Sequence, residues 1–137
     1  MRECSTLEIK IYTTYFAKLK KLPRNIVPVS ICRYPPSGFK GIQYKKLAPT
    51  GEILSSFKNN EEKSAYIEQY NEEILSKCNV HEVMDDLLCM TGLKGGPNGL
   101  RDSIALVCFE KPEDFCHRHL VADWFKQNGF DTSKLSN

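Results

Sequence analysis

The sequence predicts an α/β fold, a small Rossmann-like three-layer domain with a mainly parallel sheet, and three observations carry that prediction. Ser103 to Phe109, reading Ser-Ile-Ala-Leu-Val-Cys-Phe, is apolar on both faces, as an interior parallel strand covered by helices must be. Strand-like and helix-like segments alternate along the chain, the order of an α/β layer fold. No internal repeat or low-complexity segment interrupts them. At 137 residues the chain has the size of one domain, so 1–137 is expected to be a single unit around one core.

The first strand is expected at Leu7 to Thr13, where apolar and charged residues alternate with period two. Tyr15 to Leu22 reads as a short helix stopped by Pro23. Ile26 to Cys32 is a β-branched run, read as a second strand with Pro28 near its first residues and Arg33 at its exit. From Tyr34 to Gly51 the chain is rich in Pro, Gly and aromatic residues without periodicity and reads as a long irregular loop. Asn59 or Asn60 is placed to cap a helix running to about Lys77, with Glu62 completing a capping box and Tyr66, Ile67, Tyr70, Ile74 and Leu75 as its apolar stripe. Asn79 and Glu82 repeat the cap signature for a helix from Val80 to Met90, with Val83, Met84, Leu87 and Leu88 facing the core. Gly95, Gly96, Pro97 and Gly99 break the chain before the clearest strand. From about Pro112 a final helix buries Leu120, Val121, Trp124 and Phe125 and stops at Gly129.

Composition narrows the function. Nineteen basic against seventeen acidic residues leave a net charge of +2, too little for a protein that grips many phosphates at once, so extended nucleic-acid binding is not favoured. Met1 to Lys10 lacks the apolar core of a signal peptide, and no stretch approaches a membrane span, so a cytoplasmic setting is expected. The six cysteines then read as thiols in a reducing compartment, mostly buried, rather than as a disulfide framework.

The chemistry-bearing residues gather where the last strand meets the last helix. Ligands of open parallel sheets bind beyond the carboxyl ends of the strands, where the following helix presents its N–H groups to anions. Glu110 stands at the strand exit, from which a carboxylate can act as a base. Cys116 and His117 fall in the first helical turn if Asp114 is the cap, and the helix dipole together with His117 and Arg118 would favour the Cys116 thiolate as a nucleophile. The bland alternative packs Cys116 under the helix and leaves Arg118 and His119 in solvent. Arg33 leaves the second strand at the same edge and can meet an anion beside Arg118. Cys108, Cys116 and His117 lack the spacing of a metal site, so no metal is assigned, and no cofactor follows from the sequence. Tyr12, Tyr15, Tyr34 and Tyr44 are able to stack on a ring, although tyrosines in such segments usually pack.

Leu106-Val107-Cys108-Phe109-Glu110 followed by Cys116-His117-Arg118-His119-Leu120-Val121 resembles the signature of the family called domain of unknown function 488. Arg33-Tyr34-Pro35-Pro36-Ser37-Gly38 and Leu47-Ala48-Pro49-Thr50 resemble its arginine- and proline-containing loop and its Leu-Ala-Pro segment. The resemblance spans Ile9 to Gly129 and implies a Rossmann-like domain that brings Arg33, Glu110, Cys116, His117 and Arg118 together. Many members carry an acid just before the first arginine, where this chain has Ile31 and Cys32. Two functions follow as expectations: an enzyme-like domain binding an anionic small ligand, a nucleotide or phosphorylated metabolite, or else a non-catalytic nucleic-acid or protein-interaction module.

Overall fold

The computed structural model describes residues 9–54, 63–94, 101–108 and 117–134. Five strands, β1 (Lys10–Tyr15), β2 (Ile26–Ser30), β3 (Ile42–Gln43), β4 (Ser103–Cys108) and β5 (Thr132–Lys134), form one sheet in the order β3-β2-β4-β1-β5. Every pairing is parallel, so the expected mainly parallel α/β architecture is present. Among the described residues the helices include α1 (Lys63–Glu73), α2 (Val80–Thr91) and α3 (His117–Gln127), residues 51–54 are also helical, and 3-10 turns lie at Phe16–Lys21, Lys45–Leu47 and Leu75–Lys77.

β4 sits between β1 and β2, and all six of its residues are buried, as its unbroken apolar run predicts. The register aligns Ile11, Ile104 and Val27 in one row and Thr13, Leu106 and Val29 in the next. Side chains alternate across a strand, so these rows share one face. Against it pack Tyr66 and Tyr70 of α1, Val83, Met84 and Leu87 of α2, and Val121 and Phe125 of α3. Thr14, Val107 and Ser30 lie on the opposite face and are buried as well.

Pro28 is the third residue of β2, near its start as expected, and the register explains why it is tolerated. Ile31 N–H donates to Val107 O, whereas Tyr44 N–H donates to Ser30 O, so even-numbered positions of β2 face the β3 side. β3 begins only opposite Val29, and the missing Pro28 donor therefore falls where no neighbour needs it.

Helix ends follow their caps. Asn79 accepts from the N–H groups of His81 and Glu82, as the sequence predicts for the start of α2. Gly92 ends α2 with φ of 79°, and Gly129 follows α3 with φ of 92°, where Phe130 N–H closes back on Phe125 O.

Several expectations are corrected. The first strand lies three residues later than expected at its start, and 1–8 fall outside the described residues. The Tyr34–Gly51 loop is interrupted by β3 and a 3-10 turn, because Tyr44 N–H finds Ser30 O and turns the chain into the sheet. The helix expected to reach Lys77 ends at Glu73 and is followed by a separate 3-10 turn; its cap residues Asn59, Asn60 and Glu62 lie outside the described residues, as does the start expected near Pro112 for the last helix. Leu120 and Trp124 are only partly buried. Of the four described cysteines only Cys108 is buried, and Cys89 is exposed on the outer side of α2.

At the amino edge of the sheet the polar groups close on one another. Asn25 Nδ2 donates to Asp102 Oδ1 at 2.8 Å and Ser103 Oγ donates to the same oxygen at 2.9 Å. Asn25 O in turn accepts from the N–H groups of Asp102 and Ser103. No helix among the described residues is long and apolar enough to cross a membrane.

Candidate functional site

The carboxyl edge of the sheet is built differently. Among the described residues, the buried side-chain nitrogen and oxygen atoms without a hydrogen-bond partner are Thr14 Oγ1, Arg33 Nε, and Arg118 Nη1 and Nη2. Thr14 is the penultimate residue of β1, Arg33 lies three residues past β2, and Arg118 is the second residue of the helix that follows β4. All four atoms therefore belong to the ends of three adjacent strands.

Arg118 is 1% exposed, which overturns the reading that left it in solvent. A guanidinium stays charged at any ordinary pH, and a buried charge without a counter-charge is strongly disfavoured. Among the described residues, the first turn of α3 holds no acid. Its two terminal nitrogens present the fork that suits a carboxylate or phosphate oxygen pair.

His117, the first residue of α3, is buried at 5% exposure, and its Nε2 lies 2.7 Å from Ile31 O. A carbonyl can only accept, so Nε2 carries the proton and donates, which clasps α3 to the end of β2. The Cys108 sulfur is 3.6 Å from Nε2 and 3.7 Å from Nδ1. Near-equidistance places the sulfur close to the plane bisecting the two nitrogens, and an in-plane approach at that range would drive it into Cε1. The sulfur therefore rests on the ring face, where neither nitrogen lone pair points at it. Cys108 packs against His117 rather than forming an activated thiol pair with it.

The clasp is buttressed from α1. The Tyr70 ring centroid lies 5.4 Å from that of His117, and the Tyr70 hydroxyl donates to Leu47 O. Leu47 follows Tyr44, whose hydroxyl donates to Asp86 Oδ2 at 2.6 Å. Burial, reinforced by Asp86, pushes the Tyr44 hydroxyl well above the ordinary tyrosine range, so it stays protonated. Lys45 Nζ donates to Arg33 O at 2.5 Å and Lys46 pairs with Asp86 at 3.6 Å, so two cations of the long loop are engaged within the protein.

Of the residues singled out from the sequence, Arg33, His117 and Arg118 are placed at this edge, whereas Glu110 and Cys116 lie outside the described residues. Thr14 was missed; its only sequence signal is its place at the end of an alternating strand. No group of three or more His, Cys, Asp or Glu side chains among the described residues is arranged to hold a metal. Two clefts lie elsewhere. One of about 370 Å³ runs between α1 and α3 past Leu75, Leu120 and Trp124, and another of about 320 Å³ runs between α3 and β5 past His119 and Lys126. Neither is lined by Arg33, His117 or Arg118, and the chemistry directs attention to the arginines rather than to these grooves.

No curated protein and no solved structure matches the chain. Residues 11–129 match the family model DUF488-N3a, described as the active DUF488-N3 subclade, and with most of its length inside that match the chain belongs to the DUF488 family.

Proposed function

We propose that the chain, as one α/β domain over 1–137, binds an anionic small ligand, a nucleotide or phosphorylated metabolite, at the carboxyl edge of its sheet. The observation that carries this reading is the Arg118 guanidinium, 1% exposed with both terminal nitrogens unpartnered. An anion there offsets the charge, and Arg33 is its second arm.

The matched subclade is described as active, which fits a catalytic role for the chain. Glu110 is assigned to proton transfer and Cys116 to covalent work beside the bound anion. His117 Nε2 is committed to Ile31 O, so any proton that His117 exchanges with a ligand passes through Nδ1. Cys32, Cys78, Cys89 and Cys108 form no disulfide, which fits the proposed reducing, cytoplasmic setting. The alternative of a nucleic-acid module is weakened by Lys45 and Lys46, which already have partners within the chain.

Thermal unfolding of the wild type and of Arg118→Met against inorganic phosphate, mononucleotides, sugar phosphates and short oligonucleotides tests the proposal. A ligand at a hundred times its dissociation constant stabilises by about 2.7 kcal/mol. The wild type is expected to be stabilised by a mononucleotide or phosphate ester and Arg118→Met is not. Equal stabilisation of both proteins, no response to any small anion, or a response to oligonucleotides alone would overturn the reading.

A further inference from the structure

Among the described residues the exposed large hydrophobic side chains are Tyr34, at 66%, and Met90, at 43%. Met90 is the penultimate residue of α2, whereas Tyr34 has a cation against its ring. Tyr34 directly follows Arg33, and the Arg33 guanidinium carbon lies 5.9 Å from its ring centroid. The hydroxyl end of the ring stands next to Gly51, where an added Cβ would be 3.9 Å away. The ring is thus braced from two sides while two thirds of the residue faces solvent. The remaining candidate tyrosines behave otherwise, since Tyr44 is buried at 5% and Tyr12 and Tyr15 are half-buried in β1.

Tyr34 is tied to the anion site through the backbone. Ile31 O holds His117, and Arg118 is the next residue along α3. Arg33 is two residues past Ile31, at most about 7 Å of extended chain. The Arg33 side chain, whose buried Nε is unpartnered, thus carries its guanidinium beside a solvent-facing aromatic ring, and the Arg118 fork, also buried and unpartnered, follows directly on the residue that Ile31 O holds. Hydrogen-bond donors of this kind ask for an oxyanion, and an exposed, braced ring asks for a flat aromatic group. One small molecule that carries both is a nucleotide.

Resting on the anion-binding reading above, we infer that Tyr34 is the stacking platform for the base of a nucleotide whose phosphate sits on Arg33 and Arg118. The base lies against the open face of Tyr34, and the ribose spans the distance to the arginines. Stacking accepts any base, because each has a π-face, so the platform selects nucleotides over sugar phosphates without choosing among bases.

Calorimetric titration at fixed ionic strength tests this with AMP, GMP, CMP, UMP and ribose 5-phosphate, using the wild type, Tyr34→Ala and Tyr34→Phe. At least one mononucleotide is expected to bind roughly tenfold or more tightly than ribose 5-phosphate. Tyr34→Ala lowers that nucleotide to the affinity of ribose 5-phosphate and leaves ribose 5-phosphate unchanged, while Tyr34→Phe retains the preference. Equal binding of nucleotides and ribose 5-phosphate, or a preference that survives Tyr34→Ala, overturns the stacking platform and leaves the anion site standing. Failure of every phosphate ester to bind overturns the anion site and the platform with it.

Discussion

The two edges of one sheet treat polar groups in opposite ways. At the amino edge Asn25, Asp102 and Ser103 bond to one another, through both side chains and backbone. At the carboxyl edge Thr14, Arg33 and Arg118 keep buried atoms unpartnered. The strands are the same strands, so the contrast does not come from the fold. A chain under pressure only to be stable satisfies its buried donors, and the open donors at one edge are what the proposed anion site rests on. On the proposed reading, the amino edge is structure and the carboxyl edge is where stability is given up for ligand binding.

The largest expected effect sharpens the line between positioning and binding at the carboxyl edge. His117→Ala removes a buried ring and leaves Ile31 O without its donor, so it should destabilise by about 3–5 kcal/mol in urea unfolding. Loss of less than about 1 kcal/mol would show that the clasp does not hold α3 to β2. Next comes the amino edge: Asn25→Ala should destabilise by about 1–2 kcal/mol and leave the affinity for phosphate esters unchanged in calorimetry. A large affinity loss there would erase the contrast.

The smallest effect concerns pH. Tyr44 has its pKa raised by burial and by Asp86, so the folded state holds that proton more tightly than the unfolded state. Its contribution is fully present below the ordinary tyrosine value of about 10 and is lost as pH rises above it. Tyr44→Phe should lower stability by roughly 1 kcal/mol at neutral pH and lose less stability than the wild type between about pH 9 and 11, measured by urea unfolding. An unchanged alkaline slope would remove Tyr44 from the account.

These regions differ in how far the sequence reveals them. β4 and α2 were legible because one is an unbroken apolar run and the other has a cap whose spacing is local. β5 was not, since Thr132, Ser133 and Lys134 carry no strand pattern and are extended only because β1 offers them a parallel partner. β3 was missed for the same reason. Arg33, His117 and Arg118 were legible as residue types at a strand exit, but the burial of Arg118 was not, because a lone arginine on a helix is usually solvated. Likewise nothing in the sequence distinguishes Tyr34 from Tyr44; one faces solvent and the other bonds Asp86 because of where a long loop happens to pack.

The most direct test is the ligand-free stability of Arg118→Met in urea, measured beside its binding of phosphate esters. An unpartnered buried cation held for a ligand predicts that the variant is more stable than the wild type by about 1–4 kcal/mol and binds none of them. A variant that is less stable than the wild type would mean that Arg118 supports the fold, and one that still binds phosphate esters would mean that the anion sits elsewhere.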